Sequence, residues 1–100
     1  MKSWRLLLRT LRINDVPVEV TYADLFVVLR DGELCPGPND WEATVTTPER
    51  CHLPPSRHHL HAHTPDGVIL AGPALLVFSD GHQHHFRGDG ALVGVDEALA

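Results

Sequence analysis

With 100 residues the chain is sized for a single domain spanning residues 1–100, able to bury roughly two-thirds of the surface that it exposes when unfolded. A composition of 43% hydrophobic and 21% charged residues is globular rather than disordered. Eight basic against 13 acidic residues leave a formal charge of −5. That argues against nucleic acid as a partner, because phosphate binding draws on clustered Lys and Arg, and the one basic cluster is Arg5, Arg9 and Arg12. No stretch approaches the ~20 apolar residues of a membrane span, and MKSWRLLLRTLR lacks both an uninterrupted apolar region and a small-residue cleavage site. A cytoplasmic protein without a membrane partner is expected. Its eight histidines would bring the charge to +3 if all were protonated, so charge should vary steeply between about pH 5 and 7.

The first eleven residues read two ways. As a helix, Trp4, Leu7, Leu8 and Leu11 form a stripe opposite Arg5, Arg9 and Arg12. As a strand, Trp4, Leu6 and Leu8 face one way and Arg5 and Arg9 the other, with Leu7 out of pattern. The strand is preferred because it leads through the Asn14-Asp15 turn signal into VPVEVTY as a hairpin. There Val16, Val18, Val20 and Tyr22 alternate with Glu19 and Thr21, the period-two pattern of a half-buried strand.

LFVVLR, residues 25–30, is apolar throughout and expected to be central in a sheet. CPGPND, residues 35–40, is a loop. WEATVTT alternates Trp41, Ala43, Val45 and Thr47 with Glu42, Thr44 and Thr46. TPERCHLPPS, residues 47–56, is the longest irregular connection, the kind of segment where function tends to sit. Cys35 and Cys51 are the only cysteines and are expected to be reduced in a cytosolic setting.

Four Asp-Gly pairs, at residues 31, 66, 80 and 89, are hairpin candidates. A two-residue loop at Asp66-Gly67 would pair Thr64 with Ile69, Ala62 with Ala71 and Leu60 with Pro73. Leu60, Ala62 and Thr64 then share one face, and His59, His61 and His63 share the other, opposite Ala74, Gly72 and Leu70. The same device at Asp80-Gly81 would pair Ser79 with His82 and Val77 with His84. VDEALA, residues 95–100, reads as a helical turn or a frayed tail. About eight short strands joined by tight turns predict an all-β chain, a small antiparallel barrel or two-sheet sandwich built from hairpins.

Two functional readings follow. His59, His61 and His63 on one strand, with His82 and His84 beside the next turn, repeat the His-x-His spacing. It places imidazoles about 7 Å apart on one side of a strand, close enough to lean onto one zinc or another divalent transition ion. The plainer reading makes these histidines the solvated face of a sheet, with no cofactor and no catalytic residue. Cys51-His52 is a poor nucleophile and base, because neighbours on an extended chain point to opposite sides. There is no glycine-rich phosphate cradle, paired-carboxylate motif or serine elbow. The preferred expectation is therefore a protein-binding or assembly module, its partner another protein or a second copy of itself, that uses exposed apolar residues near Trp41 and Leu70 or the bare edges of strands. Its association should change across about pH 5 to 7 as the histidines titrate.

Overall fold

The computed structural model describes residues 2–32, 36–37 and 40–99. Cys35, and with it any pairing to Cys51, lies outside them. Eight antiparallel strands form one sheet: β1 (Lys2–Leu7), β2 (Thr10–Ile13), β3 (Val16–Val18), β4 (Tyr22–Leu29), β5 (Trp41–Thr46), β6 (Arg57–His63), β7 (Ile69–Ser79) and β8 (Gln83–Gly88). A single helical turn, α1 (Val95–Ala98), follows. The strands lie in the order β1-β4-β5-β8-β7-β6-β2-β3. The chain is all-β, as the turn spacing predicts.

The first segment is a strand. Its helical stripe loses because β1 pairs with β4 and β2 with β6 and β3; Asn14 and Asp15, whose φ angles are 52° and 65°, make the two-residue turn between β2 and β3 that matches strand twist. Leu7, out of pattern for a strand, is 54% exposed. The alternation expected through Tyr22 fails at residues 19–21. These leave the ladder, and the pattern resumes out of phase, so that Ala23, Leu25 and Val27 are buried while Tyr22 is exposed.

Leu8 and Arg9 bend the chain between β1 and β2. The Leu8 amide donates to the Ala23 carbonyl at 2.9 Å and the Arg9 amide to the His63 carbonyl at 2.8 Å. Ala23 enters β4 and His63 ends β6, with β5, β8 and β7 between them in the sheet. Two successive amides thus bring those distant strands together, and the sheet must roll around its apolar face. The ladder does not run unbroken around the roll, since β1 and β3 are its free ends.

Inside lie Leu11, Ile13, Leu25, Val27, Trp41, Ala43, Val45, Leu60, Leu70, Leu76 and Phe86 in one cluster. Residues 89–99 pack across the sheet margin, where Leu92 and Val95 are buried and Val93 exchanges two backbone hydrogen bonds with Ala71. The Trp41 indole donates to the Gly90 carbonyl at 2.9 Å, which satisfies the one polar atom of that buried ring.

The first hairpin register differs by one residue from the sequence expectation, and the second by two at its turn. His63 faces Ile69, His61 faces Ala71 and Leu60 faces Gly72. The loop has three residues, Pro65 to Gly67, because Thr64 closes it through bonds to Val68 and from Gly67; Pro65 suits the first turn position and Gly67 supplies a φ of 90°. At the next hairpin the Asp80 amide bonds the Gln83 carbonyl, so Gly81 and His82 form the loop and Ser79 faces His84. An irregularity between Leu76 and Phe78 then sets the rest of the strand in register, with Leu76 facing Phe86.

Candidate protein-interaction edge

Among the described residues, β1 pairs only with β4 and is in contact with no other strand or helix. Backbone alternation defines what its open side offers. Since Leu8 bonds Ala23 across the ladder, Trp4 and Leu6 also direct their N–H and C=O groups at β4. The Val28 amide, opposite Ser3, turns away from β1 to the Asp40 carbonyl. Ser3, Arg5 and Leu7 therefore present their backbone groups outward, as Arg9 does next along the chain when it bonds His63. Side chains of all three are exposed. Such an edge is a template for another strand. At the other free end, β3 carries Pro17, which has no N–H, and it is only three residues long.

Charge is concentrated on the same stretch. Residues 2–13 contain Lys2, Arg5, Arg9 and Arg12, four of the eight cations, and none of the 13 carboxylates. Arg5 bonds the buried Asp24 at 3.2 Å and lies 5.8 Å over the Phe26 ring. Arg12 donates to the Asp15 carbonyl at 2.9 Å. Arg9 makes no ion pair among the described residues and is exposed.

The histidines divide by face. On β6, His59, His61 and His63 point outward. The His61 and His63 rings lie 5.4 Å apart at 70°, and His63 Nδ1 meets the Thr10 hydroxyl at 3.1 Å. The Nδ1 atom of His61 is buried without a partner among the described residues. On β8, His84 points inward and is 1% exposed, whereas His82 sits in the exposed loop. The two His-x-His elements thus occupy opposite sides of the sheet and cannot converge on one ion. Among the described residues no three His, Cys, Asp or Glu side chains gather as a metal site requires.

His58 and His84, the two buried histidines, are structural in their contacts. Asn14 Oδ1 accepts the His59 amide at 2.8 Å, so its Nδ2 faces His58 and donates to Nδ1 at 2.9 Å; His58 Nε2 in turn donates to the Pro54 carbonyl at 2.8 Å. For His84, Thr47 gives its hydroxyl proton to the Glu49 carbonyl at 2.8 Å and accepts from Nε2 at 3.4 Å. That leaves Nδ1 to accept the Ser79 hydroxyl at 2.8 Å. Burial holds the His84 pKa below the usual histidine value; nearby Asp80 opposes this shift and His82 adds to it. Sequence reasoning grouped His84 with the solvated histidines and passed over His58. The apolar residues alternating with them, His58-x-Leu60-x-Ala62 and His84-x-Phe86, carried the signal.

Trp41 and Leu70, expected near an exposed apolar patch, are each 1% exposed and belong to the core. Exposed apolar side chains occur instead on the outside of β7, where Leu75, Val77 and Phe78 are 39%, 51% and 55% exposed. Beside them runs an open groove of about 590 Å³ lined by Cys51, His52, Leu53, Pro55, Phe78 and Ser79 among others. Cys51 and His52 share this wall, and the Cys51 amide bonds the Gly81 carbonyl at 2.8 Å.

No family model matches the chain, and neither a curated protein nor a solved structure shows significant similarity to it.

Proposed function

We propose that this protein is a protein-binding module that captures an extended segment of its partner as a ninth strand against β1. The observation that supports the reading is the edge at Ser3, Arg5 and Leu7, six residues of strand with no proline and, among the described residues, no pairing strand or covering element on that side. Strand addition gains its affinity from main-chain hydrogen bonds and its selectivity from alternate side chains. A second copy of the chain is a poorer occupant. Pairing two β1 edges about a two-fold axis with full overlap sets Ser3 against Leu7 and Arg5 against its own twin, and like charges directly opposite are destabilising.

The decisive experiment places proline on each side of the strand in turn. Ser3→Pro removes an outward N–H and leaves the β4 ladder intact, so partner capture from a library of displayed extended peptides should be lost while the melting temperature stays within a few degrees. Leu6→Pro removes a ladder hydrogen bond and should lower the melting temperature. Peptide capture that survives Ser3→Pro would refute the reading.

A further inference from the structure

We infer, building on that edge-pairing reading, that the partner segment is acidic. The cations sit where such a segment would lie: Lys2 at one end of β1, Arg5 in its middle and Arg9 just past the other end. Residues 2–13 themselves carry no carboxylate, although Asp31 lines a hollow with Lys2 and Glu19 one with Arg9, whereas the remainder of the chain holds four cations against 13 carboxylates. An acidic strand is attracted to this edge and repelled by most of the remaining surface, which selects the docking place as well as the partner. Arg5 cannot be the main discriminator, because Asp24 already neutralises it at 3.2 Å. Lys2 and Arg9, both exposed, are the positions that select charge. On the outer face, an apolar residue of the partner would lie against the exposed Leu7, so the fitting segment is about six residues, matching the length of β1, with an apolar residue at that place and acidic residues towards its ends. Nucleic acid offers the same charge but no N–H and C=O ladder for Ser3, Arg5 and Leu7, and a peptide satisfies both features.

The test uses the full chain with three fluorescein-labelled extended peptides, identical except for Glu, Gln or Lys at the charged positions, and with a single-stranded oligonucleotide. Anisotropy gives affinity at low and moderate salt, and amide exchange reports on Ser3, Arg5 and Leu7. The expected result is that the Glu peptide binds at least about tenfold more tightly than the Gln peptide at low salt, weakens as salt rises, and slows exchange at those three amides. The double substitution Lys2→Gln with Arg9→Gln should remove most of the Glu preference without moving the melting temperature. Equal binding of the Glu and Gln peptides with protected β1 amides would overturn the acidic preference and leave edge pairing standing. Binding of the Glu peptide with no protection at β1 would overturn both, as would binding of none of the peptides. Tighter binding of the oligonucleotide than of any peptide would overturn the choice of a protein segment.

Discussion

The Ser79 hydroxyl donates to Nδ1 of His84 across 2.8 Å, and the ring that receives it is buried. In this direction the bond needs an unprotonated Nδ1, and a charged ring at this buried place is costly, so folding is linked to pH. Because burial lowers the folded-state pKa of His84, the unfolded chain binds a proton more readily. The contribution is fully present above the ordinary histidine pKa near 6.5 and is lost as pH falls below it towards the folded value. The groups around the ring are Asp80, which opposes the shift, His82, which adds to it, and the Thr47 hydroxyl on Nε2. Thermal melts from pH 7.5 to 5 should show a falling midpoint, and His84→Gln should flatten the slope below pH 6.5 more than His61→Gln does. Equal slopes in both variants would rule out His84 as the group responsible.

Trp41 is the largest side chain in the core and its indole is committed to the Gly90 carbonyl. Trp41→Phe keeps most of the apolar volume but removes the donor, leaving that carbonyl unpaired. The expected loss is about 2–3 kcal/mol, combining one orphaned buried acceptor with a small cavity. Urea unfolding should report a lower midpoint with an unchanged slope, since the surface exposed on unfolding barely alters. Detachment of residues 89–99 would follow from the same contact, and hydrogen exchange should show faster opening at Val93 than at Phe86.

Most of the architecture was legible in the alternation of apolar residues, because one buried face forces a period of two on every strand. Trp41, Ala43 and Val45 are buried as read, and so are Leu60 and Ala62. What failed was turn chemistry. Asp-Gly invites a two-residue loop, but Pro65 lengthens the first to three residues, and at the second Gly81 takes the first loop position. One residue of slip exchanges the faces of the returning strand. Leu70 consequently moved from the expected solvent face to the core; at the second hairpin the turn shifts by two residues and the irregularity between Leu76 and Phe78 leaves a net slip of one, which sets Phe86 opposite Leu76. The free edge of β1 could not be read at all, since strand order depends on which strands meet after the sheet rolls, and no local pattern encodes that.

Glycines with similar backbone angles should respond very differently to a methyl group. Gly94, at φ 97°, has the Ile69 carbonyl oxygen where a Cβ would sit, at 2.0 Å, whereas Gly67, at φ 90°, has nothing within 4 Å. Gly67→Ala should cost only the left-handed backbone penalty, about 1 kcal/mol. Gly94→Ala must also displace the β7 backbone and should cost about 3 kcal/mol or more, releasing α1 and Val95 from the core. Comparing the two variants by denaturant unfolding separates conformational strain from steric conflict; equal losses would contradict the close approach of Gly94 to β7.

Asn14 serves the first turn and a buried histidine at once. Its φ of 52° is one that Asn tolerates better than most residues, and its side chain reaches both His58 Nδ1 and the His59 amide, tying the β2–β3 turn to β6. Asn14→Gly keeps the backbone conformation and removes both side-chain bonds, which should cost about 1–3 kcal/mol because His58 Nδ1 is left buried without a donor. Asn14→Ala adds backbone strain of about 1 kcal/mol and should be worse than glycine. Asn14→Asp keeps an acceptor for the His59 amide but has no N–H to give to Nδ1 of His58. A smaller loss for Gly than for Ala, read from thermal melts at pH 8, checks the backbone part of the assignment; a Gly variant as stable as the parent would mean that the side-chain bonds of Asn14 contribute nothing.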